Sequence, residues 1–210
     1  MKRVILSFFM VFVVFALFAG FTQQPKIKNA QVWQWNDGIA NTFLGGRDCD
    51  SGMGIALDTK GNIYVTGWTD IITGSLIKLF DTEYHDVFVA KLNPLGDLKW
   101  LTFLDGDIPQ DIIIDGMGNI YIAGYTFLAK LDSKGILKWK KNLPAGAYGE
   151  GIAINSIGEI FVTGKSECTW GYPVNLFNGD VDAFLAKFDY KGELKWNTFL
   201  EGVVEILAMT

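Results

Sequence analysis

From residue 53 to residue 200 the chain runs in short stretches where apolar and polar positions alternate, each closed by Gly, Asp or Asn. A period of two with frequent turn residues predicts β-strands. Twelve strands are expected, in three sets of four that we label a to d. Strand a is expected at 53–58, 110–115 and 150–155, and strand b at 62–67, 119–124 and 159–164. Strand c is expected at 86–92, 127–132 and 182–189, and strand d at 97–104, 136–143 and 193–200. The a–b connections, such as Asp58-Thr-Lys-Gly-Asn62, place an Asp to bond the amides ahead of it and a Gly to take positive φ. The c–d connections, such as Asp132-Ser-Lys-Gly135, repeat that chemistry. Residues 71–80 come nearest to a helical pattern, and Gly74 weakens it.

The same pattern is an internal repeat. Its first half recurs as Gly54-Ile-Ala-Leu-Asp-Thr-Lys-Gly-Asn-Ile-Tyr-Val-Thr-Gly67, Asp111-Ile-Ile-Ile-Asp-Gly-Met-Gly-Asn-Ile-Tyr-Ile-Ala-Gly124 and Gly151-Ile-Ala-Ile-Asn-Ser-Ile-Gly-Glu-Ile-Phe-Val-Thr-Gly164. Its second half ends each time in Leu-Lys-Trp, at Trp100, Trp139 and Trp196. Those tryptophans share one repeat position and are expected in the core between units. A unit of about 40 residues with four strands has the size of a propeller blade. The first and third units carry a long b–c loop, at 68–85 and 165–181, where the second has a tight turn.

These units resemble the SBBP family of β-propeller repeats of exported bacterial and archaeal proteins. Thr42-Phe-Leu-Gly-Gly46 and Asp86-Val-Phe-Val-Ala-Lys91 carry the resemblance closely, and it spans about Ala40 to Leu200. Ala40 stands where the family pattern has a Trp, and the second unit lacks the Asp before Phe127. The third unit has Asn155 and Glu159 in place of Asp and Asn. The resemblance implies a fold and export; it brings no common catalytic motif.

The fold class expected is all-β: an incomplete β-propeller of about three four-stranded blades, with partial strands at both ends and an N-terminal leader helix. The blades are set at 53–104, 110–143 and 150–200, within a partial propeller of residues 39–210. The start of a fourth blade is read at 203–210. Open flanks would expose apolar surface and unpaired backbone. Two readings follow: a fragment of a larger propeller protein, or copies that associate to close the ring.

Residues 1–20 read as a signal peptide or an uncleaved membrane anchor: Lys2 and Arg3 precede an apolar run from Val4 to Phe18, broken only by Ser7. Residues 21–38 read as a linker. Either reading of the leader exports the chain, to the extracellular space, the cell surface or the periplasm, with membrane contact only through an uncleaved leader. The net charge of −5 excludes a basic nucleic-acid footprint. The two cysteines, Cys49 and Cys168, leave open a mutual bridge or two lone thiols.

No catalytic constellation is visible. His85 is the single histidine, with no nucleophile pattern near it. Asp48 with Asp50, and Asp180 with Asp182, have spacing that suits Ca²⁺, but neither has a full ligand run. No cofactor or metal ligand is therefore assigned beyond that Ca²⁺ option. In a propeller the b–c and d–a connections share one face. The long loops on it bring the candidate binding residues Trp68, Asp70, Tyr84, His85, Trp170, Tyr172 and Asp180. Exposed aromatics beside carboxylates suit protein or glycan recognition; the competing reading packs the loop aromatics onto the core. The expected function is an exported, non-enzymatic module that binds a protein or a polysaccharide. The alternatives are a fragment with no activity of its own and a propeller enzyme acting on glycans. The enzyme reading is weakened by inner strands without His, Arg or Tyr.

Overall fold

The computed structural model describes residues 32–34, 40–42, 49–69 and 86–200, and what is described is built from strands. β1 (Val32–Gln34) and β2 (Ala40–Thr42) form a small antiparallel pair. Three four-stranded antiparallel meanders follow. The first holds β3 (Asp50–Leu57), β4 (Ile63–Thr69), β5 (Asp86–Leu92) and β6 (Leu98–Leu104). The second holds β7 (Pro109–Ile114), β8 (Ile120–Gly124), β9 (Phe127–Leu131) and β10 (Leu137–Asn142). The third holds β11 (Ala147–Ile154), β12 (Ile160–Ser166), β13 (Asp182–Phe188) and β14 (Leu194–Leu200). β3 lies against β7, and β7 against β11, so the first strands of the sheets gather on one side of the stack. This is the arrangement of propeller blades around an axis. Among the described residues no helix is long and apolar enough to cross a membrane.

All twelve expected strands are present. The largest shifts are at the starts of inner strands β3 and β11, each three residues earlier than the alternation predicts. The cause is a β-bulge in every inner strand, between Gly52 and Gly54, Pro109 and Asp111, and Gly149 and Gly151. An extra residue resets which side chains face the core, so a period of two cannot be followed through it. The leader, the stretch 71–80 and the fourth-blade start at 203–210 lie outside the described residues; β1 falls inside the segment read as linker.

The turns are built by short polar side chains. Asp58 Oδ1 accepts the amides of Lys60 and Asn62, each at 2.9 Å, and Asp58 Oδ2 accepts Asn62 Nδ2 at 2.7 Å and Tyr64 Oη at 3.2 Å. Asp115 makes the same set with Met117, Asn119 and Tyr121. In the third blade acid and amide exchange places: Asn155 Oδ1 accepts the amides of Ile157 and Glu159, and Asn155 Nδ2 donates to Glu159 Oε2 at 2.7 Å. Glu159 also takes Lys187 at 2.7 Å, so the turn keeps its negative charge. The six turn glycines, from Gly61 to Gly192, have φ between 76° and 85°. That left-handed region is open to Gly at little cost and strained for other residues.

The core sits between blades. Register pairs Tyr64 with Lys91 and Lys91 with Trp100, which defines one face of the first sheet, its trailing face. Tyr64, Val87, Val89, Trp100 and Leu104 on this face pack against Ile112, Ile120, Ile122, Phe127 and Leu131 of the second blade's leading face. Tyr121, Leu128, Trp139 and Leu143 of the second blade's trailing face meet Ile160, Val162, Phe184, Phe188 and Phe199 of the third in the same way. Trp100 lies under the c–d turn of the next blade, so close that a Cβ on Gly135 would stand 2.8 Å from its ring. Trp139 takes the matching seat under Gly192 and donates its Nε1–H to Tyr190 O at 3.3 Å. Each fully buried large side chain contributes about 1.5–3 kcal/mol, so the seams carry the hydrophobic stabilisation.

Candidate functional site

The b–c and d–a connections meet at one end of the stack. Tyr125 N donates to Ile108 O at 3.0 Å, Gly149 N to Tyr125 O at 3.1 Å, and Glu167 N to Gly146 O at 2.8 Å. The long loop of the third blade, residues 167–181, rises from this end. Its base is a buried indole. Trp170 packs edge-on against Phe184 at 5.1 Å and Phe199 at 5.9 Å. Its Nε1–H goes to Ser166 Oγ at 3.1 Å, and its carbonyl accepts Asn197 Nδ2 at 2.9 Å. Phe177 adds a second edge-on contact to Phe199 at 5.4 Å.

Between these two anchors the loop runs along β14. Val174 N donates to Asn197 O at 2.8 Å, Phe199 N donates to Asn175 O at 3.3 Å, and Asn175 N reaches Thr198 Oγ1 at 3.2 Å. The loop closes on Asp182, a buried carboxylate whose Oδ2 accepts the Asn178 amide at 2.7 Å. Pinned in this way, the loop holds apolar side chains outward. Tyr172 is 95% exposed, and Val174 and Leu176 follow it at alternate positions with most of their surface in water.

The structure sorts the sequence candidates. Tyr172 and Asp180 are exposed on the third-blade loop. Trp170 is core, so it takes the packing role and is absent from the surface; its two ring contacts and its satisfied N–H are the physical reason. Trp68 is half-buried in β4, in register with Ser51 and Val87. Asp70, Tyr84 and His85 lie outside the described residues. Cys49 and Cys168 are free thiols, and Cys168 Sγ donates to Ala145 O at 3.1 Å.

Sequence reasoning missed a second group at this end. Tyr125 and Tyr148 stand edge-on at 6.1 Å, and Lys165 Nζ lies 5.6 Å from the Tyr148 ring centre. Trp68, Tyr125 and Lys165 each follow the glycine that ends the repeat's first half. Aligning the copies one residue further would have shown that position. Tyr148 also corrects the reading of the inner strands: β11 begins at Ala147 and so contains a Tyr, with Glu150 as its bulge residue. Asp111 of β7 adds a carboxylate, which accepts Ile112 N at 2.8 Å and, across the seam, Ile152 N at 3.0 Å. The inner strands are thus not purely aliphatic.

Charge at the site is mostly acidic. Burial, with the neighbouring Asp105 adding to it, pushes the Asp86 carboxyl above its ordinary range. Lys140 bridges the first and second blades here, donating to Asp105 O at 2.6 Å and lying over the Phe127 ring at 5.3 Å. Among the described residues no group of three or more His, Cys, Asp or Glu is placed to hold a metal ion.

The SBBP family model, a beta-propeller repeat, matches residues 44–72. No curated protein matches the sequence. Among solved structures, a streptogramin B lyase is 17% identical with a TM-score of 0.45, over 72% of this chain and 41% of its own length. The chain therefore spans less than half of that lyase. A protein of unknown function from Bacteroides caccae is 12% identical with a TM-score of 0.42, over 79% of this chain and 73% of that one. A gluconolactonase from Xanthomonas campestris is 15% identical with a TM-score of 0.27, over 63% of this chain and 61% of its own. The expectation that the chain is not an enzyme is corrected: the structures it resembles include enzymes. At these identities the likeness extends to the fold alone, and no reaction transfers with it.

Proposed function

We propose that the chain is an exported β-propeller repeat module that binds a partner through the end bearing the third-blade loop, with a protein surface as the first choice and a polysaccharide as the second. One observation carries the reading. The loop is anchored from below by Trp170 and pinned along β14, yet it presents Tyr172, Val174 and Leu176 to water. An exposed aromatic on a rigid base binds at low entropic cost, and such residues are where interface energy concentrates. Tyr125, Tyr148 and Lys165 supply amphipathic rings and a cation at the same end. Asp180 gives the rim a negative charge. The leader pattern and the resemblance to exported repeat proteins support the export part of this reading.

The test pairs a glycan array with capture from cell-surface fractions, using the chain and its Tyr172→Ala and Leu176→Asp variants. A specific ligand lost by both variants is expected, with affinity down about 30-fold, the effect of losing a hot-spot side chain of about 2 kcal/mol. A ligand held equally by all three proteins, or no ligand in either format, overturns the reading.

A further inference from the structure

The a–b and c–d turns lie at the end of the stack opposite the loop site, because the strands between are antiparallel meanders. In the six described turns the opening Asp or Asn accepts the amide two residues on, which fixes that residue as the tip. The tips are Lys60 and Leu95 in the first blade, Met117 and Lys134 in the second, and Ile157 and Lys191 in the third. Each of these blades thus offers one lysine and one large apolar side chain. Leu95 and Met117 are 80% exposed and Ile157 is 75% exposed, so almost nothing covers them. The acids at this end are held by partners. Asp132, Glu159, Asp189 and Glu193 each take a Lys at 2.7–2.8 Å, and Asp58 has Lys91 at 3.9 Å. Asp97 and Asp115 each accept an Asn side-chain amide at 2.7 Å. Among the described residues Lys60, Lys134 and Lys191 stand outside these ion pairs.

We propose that this end rests on a bilayer bearing anionic lipid, with Leu95, Met117 and Ile157 entering the acyl boundary and Lys60, Lys134 and Lys191 meeting the phosphates. Interfacial anchors combine apolar side chains with lysines in this way, and the long Lys stem keeps its ammonium at headgroup level. Charge complementarity selects the anionic surface: the unpaired charge on the tips is cationic, and lysines near such a surface are each attracted to it. The apolar tips select lipid over a soluble polyanion or a folded protein. Three single side chains on three separate turns make no continuous patch for a protein to pack on, whereas acyl chains admit them one at a time. The inference is independent of the ligand proposed above, and it leaves the loop end facing away from the membrane.

Lysine acetylation, read residue by residue in a mass spectrometer, tests it on the whole chain. The probe is vesicles of equal parts phosphatidylglycerol and phosphatidylcholine, with pure phosphatidylcholine vesicles and soluble polyglutamate as controls. On the anionic vesicles Lys60, Lys134 and Lys191 should label about fivefold more slowly. Lys165, exposed at the loop end, should label at an unchanged rate. The contrast between the two ends reads orientation, so it holds however the leader meets lipid. Met117→Ser combined with Ile157→Ser should remove the protection, and both side chains lie in water, where the fold does not depend on them. Leu95→Gln gives a second apolar test with the same expected direction. No protection on anionic vesicles, protection that extends equally to Lys165, protection matched by either control, or protection that survives loss of the apolar tips each overturns the proposal.

Discussion

At the scale of single residues, the repeat copies act as controls on one another. Gly135 holds φ at 79° directly over Trp100, so Gly135→Ala meets both backbone strain and a ring 2.8 Å away. We expect a loss of about 2–4 kcal/mol in denaturant unfolding. Gly116→Ala, with open space around its Cβ, should stay within about 0.5 kcal/mol. The turn acids set a pH limit. The Lys195 ammonium and the amides of Glu193 and Lys191 hold the Asp189 carboxyl down at about 2. A depressed folded-state value stabilises above the usual carboxylate range and is lost as pH falls from about 4 towards 2. Asp189→Asn should therefore flatten that part of an acid titration of thermal unfolding and leave the curve above pH 6 parallel to the parent. A parent and variant with parallel curves down to pH 2 would contradict the assignment.

At the scale of strands and loops, the third-blade loop is the element with most to lose. Trp170→Ala removes two ring contacts and a buried N–H bond. A loss of about 3–5 kcal/mol is expected, together with new protease cleavage inside 167–181, read by mass spectrometry. Strand existence was legible in the sequence because Leu-Lys-Trp, Gly-Asn and Asp-x-x-Gly recur in step with an alternating pattern. Inner-strand starts were not, because the bulges at Met53, Gln110 and Glu150 break the alternation without a composition signal. The loop was half legible. Its aromatics were visible as residues, but which ring points down is decided by Phe184 and Phe199, many positions away in the chain. Trp170 therefore belongs to the core and Tyr172 to the surface, a distinction that spacing cannot make.

At the scale of the whole molecule, the middle sheet packs one face on the first four-stranded sheet and the other on the third among the described residues. β8 is buried along its full length. In stacked repeats stability is shared between units and their neighbours, so opening should begin at the flanks. We expect the amides of Ile120, Ile122 and Ala129 to exchange hydrogen slowest in native-state measurements, ahead of those in β4 and β12. Slower exchange in β12 than in β8 would contradict this order.

The segment that runs beside β14 has a consequence of its own. An outer strand with bare amides and carbonyls is a template on which a foreign strand can grow, and that is how fibrils begin. Val174 and Asn175 occupy those positions on Asn197 and Phe199 themselves. The loop that displays Tyr172 is thus also a guard, and loosening it would bare that edge to strand addition.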